Sequence, residues 1–192
     1  MRSAQIQRRT TETDVSVTLR LEGTGQADIS TGNGFFDHML TLLAAHGGFD
    51  LQVQCAGDTQ VDFHHSCEDI GICLGRAIRE ALGFRAGIAR YADIHLPMDE
   101  ALVLCAVDIS GRGAAFLDLS VDAPMAGAFD TQLLPEFLYA FAREAGITLH
   151  VRQLCGRNAH HIVEAVFKAL GRTLKAACAQ TGGGIPSTKG IL

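Results

Sequence analysis

The chain carries two copies of one sequence pattern, and this internal repeat constrains its fold more than any other feature. Residues 8–84 and 92–180 align with only small shifts. Near its end each copy holds a His-His-x-x-Glu motif, at residues 64–68 and 160–164, and the offset between the two motifs is 96 residues. The repeat therefore predicts two structurally related halves.

The same alignment pairs residues that lie outside the His-His-x-x-Glu motifs. A gap-free stretch that ends at Val53 and Val151 places His38 on Glu136. Glu12 is paired with Glu100, because each lies eleven residues before a Gly-x-Gly turn. These pairs are candidates for site residues because imidazoles and carboxylates bind metal ions and transfer protons.

Hydrophobic periodicity predicts strands, a helix, a strand and a second helix in each half. Glycines that suit a left-handed C-terminal cap follow both of the first helices, at Gly47-Gly48 and at Gly146. The predicted strands cover 15–21, 51–55, 102–109 and 148–154, and the predicted helices cover 36–45, 135–145, 64 to about 82 and 160 to about 179.

This order of elements predicts an α+β fold in one structural domain. The halves are 1–90 and 91–180, each with a β-sheet and two helices, and the simplest closure packs them through a shared layer of helices with the sheets outside. Residues 181–192 are rich in Gly, Pro, Ser and Thr, so we expect a flexible tail that is either disordered or a clamp for a ligand.

Composition excludes several classes of function. The net charge is −5, there is no run of Lys or Arg and no Trp, so a nucleic-acid surface is not expected. Apolar runs stop well short of the roughly 18 residues that a membrane helix needs. Six cysteines without C-x-x-C spacing, behind an N-terminus without an apolar signal core, predict reduced thiols and a cytoplasmic location.

The doubled motif predicts metal binding. Positions i and i+4 share one face of a helix, so His64 can converge with Glu68, and His160 with Glu164. The second histidine of each pair is rotated by about 100° around the helix axis and should serve another centre. Two metal sites follow, each with ligands from both halves or from neighbouring subunits. The predicted ligands are His38, His64, His65, Glu68, Glu136, His160, His161 and Glu164.

Imidazole and carboxylate donors without thiolate favour a borderline-to-hard divalent ion such as Mn, Fe or Zn. Cys67 lies between two of the predicted ligands in sequence but off their helix face, and is left out of the set.

Seven ordered motifs across nearly the whole chain resemble the imidazoleglycerol-phosphate dehydratase family. They are RRTTETDVSV (8–17), FFDHML (35–40), HHSCEDIGI (64–72), PMDEALV (97–103), DISGRG (108–113), LHVRQLCGRNAHHIVEAVFKALGRTL (149–174) and PSTKG (186–190). Members of the family often have His where this chain has Glu136, and an acid where it has Phe63.

The resemblance implies removal of water from imidazole glycerol phosphate to give imidazole acetol phosphate in histidine biosynthesis. It implies two Mn²⁺ ions per active site, a metal-bound imidazolate, and a homo-oligomer of 24 subunits with active sites between subunits. Glu12 is the candidate to protonate or hold the leaving hydroxyl, and Glu164 the candidate ligand and ring-proton acceptor. The small-molecule phosphate would be bound by Arg90, Arg112, Ser187 and Lys189.

Two alternative functions stay open at this point. A dinuclear metal phosphoesterase would use the same donors, but its Asp-rich bridging motifs are missing. A non-catalytic metal-binding oligomer would have no use for the phosphate-binding arginines or for the Ser-Thr-Lys tail.

Overall fold

The computed structural model describes residues 1–190 and confirms the duplicated α+β fold. The first half comprises β1 (Ser3–Arg9), β2 (Thr13–Arg20), β3 (Ala27–Ser30), α1 (Gly34–Gly47), β4 (Asp50–Gly57) and α2 (His64–Leu82). The second half comprises β5 (Tyr91–Met98), β6 (Ala101–Asp108), β7 (Ala114–Asp118), β8 (Met125–Ala126), β9 (Phe129–Asp130), α3 (Leu133–Ala145), β10 (Thr148–Cys155) and α4 (Ala159–Ala177).

Each half forms a four-stranded sheet with the same topology. The order is β1-β2-β4-β3 in the first sheet and β5-β6-β10-β7 in the second. In both sheets the first three strands in this order are antiparallel and the fourth, β3 or β7, is parallel to its neighbour. The small β8–β9 hairpin has no counterpart in the first half and was not predicted.

The four helices lie between the two sheets, as the sequence predicts. α2 packs on β1 and β2, while α4 packs on β5 and β6. The most extensive contacts between halves are helix to helix, with α2 against α3 and α1 against α4. One continuous apolar core results, in which Val17 of the first sheet and Val103 of the second are both fully buried.

The glycine of each Leu-Gly-Arg motif makes these helix pairs possible. A Cβ on Gly75 would lie 2.5 Å from the carbonyl oxygen of Phe141 in α3, and a Cβ on Gly171 would lie 2.5 Å from that of Leu43 in α1. Carbon and oxygen cannot approach so closely, so both crossings require glycine. The repeat thus preserves the residue that joins each half to the other.

Predicted helix boundaries hold to within two residues. α2 begins at His64, whereas α4 begins one residue before the double histidine and ends at Ala177 instead of 179. Gly48 and Gly146 cap α1 and α3, and both have φ of 66°. None of the helices in residues 1–190 combines the length and the apolar character needed to cross a membrane.

The starts of the helices converge at one end of the layer. The ring of Phe36, near the start of α1, lies 5.7 Å from Phe63 just before α2 and 5.3 Å from Phe137 in α3. Phe35 lies 5.1 Å from His160 at the start of α4. This convergence brings the histidine motifs of both halves to the same end of the protein.

The tail forms no helix or strand over residues 181–190, and the rest of the predicted tail, 191–192, lies outside the described residues. Its beginning is nevertheless attached to the chain. Thr181 donates its backbone N–H to Gly87, at 2.7 Å, and Gly87 donates to Gly184, at 2.9 Å. These contacts bring residues 186–190 beside the second sheet.

Candidate metal centre

Three of the predicted ligands meet where α1 crosses α4. Nε2 of His160 lies 2.9 Å from a carboxylate oxygen of Glu164, and Nε2 of His38 lies 3.8 Å from the same oxygen. The ligand atoms of the three residues all lie within 4.8 Å of one another. Because His38 belongs to the first half, this trio joins both halves of the repeat. Two imidazoles and a carboxylate are a fitting donor set for Mn, Fe or Zn.

Glu164 is the buried member of the trio, with 6% of its surface exposed. Burial disfavours its charged form, but hydrogen bonds from Lys168 and His160 outweigh that effect and lower the pKa of the Glu164 carboxyl. Nζ of Lys168 lies 2.5 Å from the other carboxylate oxygen. The carboxylate is therefore ionised and oriented. Sequence reasoning missed Lys168, although its i+4 spacing from Glu164 pointed to this contact.

The start of α4 fixes the direction of its two histidines. Asn158 caps the helix and accepts hydrogen bonds from the backbone N–H groups of His160 and His161. The rings of these two histidines are 6.2 Å apart with planes at 76°, and those of His64 and His65 are 6.2 Å apart at 79°. Adjacent histidines thus point to different partners in both halves, as the helix geometry predicts.

The three residues that the repeat pairs with this trio do not lie as close together. They are His64, Glu68 and Glu136. His64 and Glu136 line one cavity at the start of α2 and α3. Glu68 faces Arg143, whose Nη2 lies 3.7 Å from its carboxylate. Within residues 1–190 no second group of three possible ligands comes as close together as the trio of His38, His160 and Glu164.

The second histidine of α4 is held by acids of the β5–β6 turn. Nδ1 of His161 lies 2.6 Å from Glu100, and its Nε2 lies 3.5 Å from Asp99. Glu100 also accepts hydrogen bonds from the backbone N–H groups of Arg157 and Asn158, at 3.1 and 2.8 Å. The hydrogen bond from His161, together with these backbone bonds, lowers the pKa of Glu100 to about 2, and the contact with Glu100 raises the pKa of His161.

The second histidine of α2 uses a different partner. Nδ1 of His65 lies 3.0 Å from the carboxylate of Asp58 and 3.8 Å from that of Glu12. The hydrogen bond to Asp58 is the main reason why the pKa of His65 is raised. Asp58 was missed by sequence reasoning, because nothing in the repeat marks it; its role depends on where β4 ends in the fold.

The two catalytic candidates lie in separate groups. Glu164 belongs to the trio with His38 and His160, whereas Glu12 lies beside His65. The Glu12 side chain is 52% exposed. Because of this exposure, the Glu12 carboxylate is accessible to a ligand bound at the surface of the chain.

The four residues predicted to bind phosphate line a single open cavity, together with Tyr91, Pro186 and Thr188, which sequence reasoning did not include. The predicted residues are Arg90, Arg112, Ser187 and Lys189. Arg90 is anchored: its Nε lies 2.8 Å from Asp108, and its Nη1 donates to the carbonyl of Pro186 at 2.7 Å. The Arg112 side chain is 73% exposed. The cavity thus combines one anchored and one largely exposed guanidinium with hydroxyl and ammonium donors from the tail.

The comparisons with known proteins agree on one family. The family model described as imidazoleglycerol-phosphate dehydratase matches residues 31–174. The imidazoleglycerol-phosphate dehydratase of Methylorubrum extorquens is 57% identical over 195 residues, which cover 100% of both chains. That of Desulforamulus reducens is 54% identical, over 100% of this chain and 98% of its own.

Solved structures of the same family have the same fold. A crystal structure of the enzyme from Pyrococcus furiosus matches 97% of this chain and 100% of its own, with a TM-score of 0.85 and 41% identity. That from Staphylococcus aureus matches 93% of this chain and 99% of its own, with a TM-score of 0.83 and 37% identity.

Proposed function

The chain belongs to the imidazoleglycerol-phosphate dehydratase family, and from that premise we propose that its dehydratase activity depends on two divalent metal ions, with Mn²⁺ as the working ion. The family assigns it to the lyases of histidine biosynthesis. The observation that carries the metal dependence is the trio of His38, His160 and Glu164, whose donor atoms converge from two helices of different halves.

One ion would be held by His38, His160 and Glu164, and the other by the paired set His64, Glu68 and Glu136. When bound, the ions would act as Lewis acids toward the nitrogens of the substrate's imidazole ring. A carboxylate at Glu136, in place of the family's frequent histidine, adds negative charge to the second set and suits a hard cation. In this proposal Glu68 exchanges its contact with Arg143 for the metal ion.

His65 and His161 point away from both sets in their own chain. We assign them to the metal sites of neighbouring copies, with Asp58 and Glu100 holding their rings by hydrogen bonds at Nδ1. Such sharing explains why Glu12 and Glu164 lie in separate groups within one chain. It requires a homo-oligomer with active sites between subunits, for which 24 copies is the family expectation.

Glu12 is the residue best placed to assist the departure of the hydroxyl group. Its carboxylate is accessible, and it lies 3.8 Å from His65, beside a predicted metal ligand. A carboxyl within hydrogen-bond reach of the leaving oxygen can donate the proton that turns hydroxide into water.

Of the two roles predicted for Glu164, the geometry favours ligation. Its donor oxygen lies with the ring nitrogens of His38 and His160, and its lowered pKa favours the ionised form that a metal ligand must have.

The phosphate group would bind in the cavity between Arg90, Arg112 and the tail. Arg90 is pre-oriented by Asp108, so it loses little freedom on binding, whereas Arg112 closes from an exposed position. Ser187 and Lys189 supply a hydroxyl and an ammonium donor from the tail. The substrate would be held at its phosphate end by these groups and at its imidazole end by the metal ions.

The proposal is tested with protein stripped by a chelator and then reconstituted. Stripped protein should not convert imidazole glycerol phosphate, and Mn²⁺ should restore formation of the ketone product, followed by its absorbance after enolisation. Release of inorganic phosphate instead would identify a phosphoesterase. Full activity in metal-free protein would refute the metal dependence.

A further inference from the structure

A polar network whose acid and hydroxyl are buried lies beneath the turn that carries Glu12. The guanidinium of Arg8, in β1, donates to Asp69 Oδ2 at 2.5 Å, and the hydroxyl of Thr13 donates to the same oxygen. Asp69 is 7% exposed and Thr13 3%. The network therefore links the first two strands to α2. Thr13 directly follows Glu12 in the sequence, and Asp69 directly follows Glu68.

The second half has the same backbone without this network. The alignment of the repeat places Leu96 on Arg8, Ala101 on Thr13 and Ala165 on Asp69. These three residues are buried, at 7%, 1% and 0% exposure. Because a strand pair and a helix of the same fold pack there with apolar side chains alone, the fold does not require the polar network.

The network adjoins a turn whose backbone is also fixed by hydrogen bonds. Thr10 Oγ1 accepts from the backbone N–H groups of Glu12 and Thr13, at 3.1 and 2.9 Å. The carbonyl of Glu12 accepts from the N–H of Asp58, whose carboxylate holds His65. Thr13 is hydrogen-bonded to Asp69 of α2, and His65 is also on α2. The hydrogen bond therefore fixes the position of the Glu12 turn relative to His65.

We propose that Arg8, Thr13 and Asp69 are positioning residues that hold the Glu12 carboxylate beside His65. This inference rests on the proposed role of Glu12 in the dehydration. The Glu12 side chain makes no hydrogen bond to the rest of residues 1–190, and its carboxylate has only the 3.8 Å contact with His65 there, so the backbone of the turn largely determines where it lies. A displaced catalytic group loses much of its effect even when it is chemically intact.

The decisive variant transplants the second half's residues into the first: Arg8→Leu, Thr13→Ala and Asp69→Ala together. Removing Arg8 alone would leave a buried carboxylate without its cation, whereas the triple change leaves no buried charge. We expect kcat to fall by about 100-fold, as for a misplaced catalytic group, with an unchanged KM and unchanged metal content.

A double-mutant cycle that combines the triple change with Glu12→Gln shows whether the network acts through Glu12. Adding the triple change to Glu12→Gln should lower kcat no further, because the carboxylate to be positioned is already gone. If the two losses multiply instead, the network does not act through Glu12, and the inference is wrong.

Thr13→Val and Thr13→Ser decide the question if the triple variant does not fold. Valine keeps the shape and removes the hydroxyl, so kcat should fall; serine keeps the hydroxyl, so kcat should stay near that of the unmodified protein. Asp14→Asn is the matched control, since Asp14 pairs with Arg9 on the exposed side of the same hairpin, at 3.6 Å. It should change nothing.

Unmodified protein in the same preparation separates the two hypotheses. Inactive unmodified protein with Mn²⁺ present would refute the proposed dehydration and its dependent inference. Active unmodified protein together with an equally active, folded triple variant, or an equally active Thr13→Val, would refute the positioning role alone.

Discussion

Glu12 and Glu100 occupy the same position in the two halves, in the turn between the first two strands of each sheet, yet their surroundings differ. Glu100 holds His161 and the backbone before α4, and accepts three hydrogen bonds. In the first half the corresponding contact with His65 is made by Asp58, and Glu12 is left with a contact of 3.8 Å. A second acid thus holds the histidine in the first half, which leaves the Glu12 carboxylate accessible, as its proposed catalytic role requires.

The two Gly-x-Gly turns also differ in the groups that hydrogen-bond their backbones. The first turn is held by Asp50, which accepts from the N–H groups of Thr24 and Gln26. The second is held by neutral groups, since Ser110 and Thr148 hydrogen-bond the backbone of Arg112. The arginine of this turn has a carboxylate nearby as well, since its Nη2 lies 3.7 Å from Asp108. Under the proposed function, Glu12 and Arg112 are the members of these two pairs that meet the substrate.

The largest expected effect comes from the first histidine of each motif. His64→Ala and His160→Ala should each abolish turnover and weaken assembly, because each would remove a ligand from one of the two proposed metal sites. Turnover, metal content by mass spectrometry and assembly size by light scattering check this. His95→Ala, on the exposed side of β5, is the control. A fully active His64→Ala beside an inactive His160→Ala would mean that only the gathered trio binds a necessary metal.

The next effect separates Glu12 from Glu100. Glu12→Gln should lower kcat by about 10²- to 10⁴-fold, as loss of an acid-base group does, with metal binding intact. Glu100→Gln should instead weaken metal affinity by about 10- to 100-fold, because it would release the imidazole of His161, a proposed metal ligand. Activity measured across a Mn²⁺ titration distinguishes them: excess metal should rescue only Glu100→Gln. Identical responses of both variants would contradict the division of roles.

A smaller effect compares the two Gly-x-Gly turns. Arg112→Ala should raise KM by about tenfold, the value of one charge-assisted hydrogen bond, and Lys189→Ala should also act mainly on KM. Thr24→Ala, in the equivalent turn of the first half, should leave KM unchanged. Steady-state kinetics at saturating Mn²⁺ give these values, and an equal rise of KM in Thr24→Ala would remove Arg112 from the phosphate site.

The smallest effect concerns acid stability. Backbone hydrogen bonds from Thr24 and Gln26, with Arg20, lower the pKa of Asp50 from 3.8 to about 2. A lowered pKa means that the ionised form stabilises the fold above about pH 4, and that this contribution is lost as pH falls toward 2. The urea midpoints of the unmodified protein and Asp50→Asn should therefore converge over this range. Thr148→Val, at the equivalent position, should shift the midpoint by a similar amount at every pH.

Local spacing made much of the fold and site predictable. The i, i+4 relation between His160 and Glu164 and the rotation between adjacent histidines are properties of any α-helix, so they are visible in the sequence. The glycine caps at Gly48 and Gly146 were predictable for the same reason, since both require a left-handed conformation.

Contacts between distant segments were not predictable in this way. The contact of Lys168 with Glu164 follows the i, i+4 spacing of a helix and could have been predicted. Asp58, in contrast, contacts His65 only because β4 ends beside α2. The Arg8–Thr13–Asp69 network likewise depends on how β1 and β2 pack on that helix.

The sequence by itself determined the duplication, the α+β class, the family motifs and the inventory of possible ligands, because each of these is carried by residue order and short-range geometry. Only the tertiary structure decided that His38 joins His160 and Glu164, and that Glu12 stays accessible while Glu100 is bound. The reason is that α1 meets α4 across the two halves, and helix crossings are set by the packing of whole faces and by Gly171 at the contact, not by any local pattern.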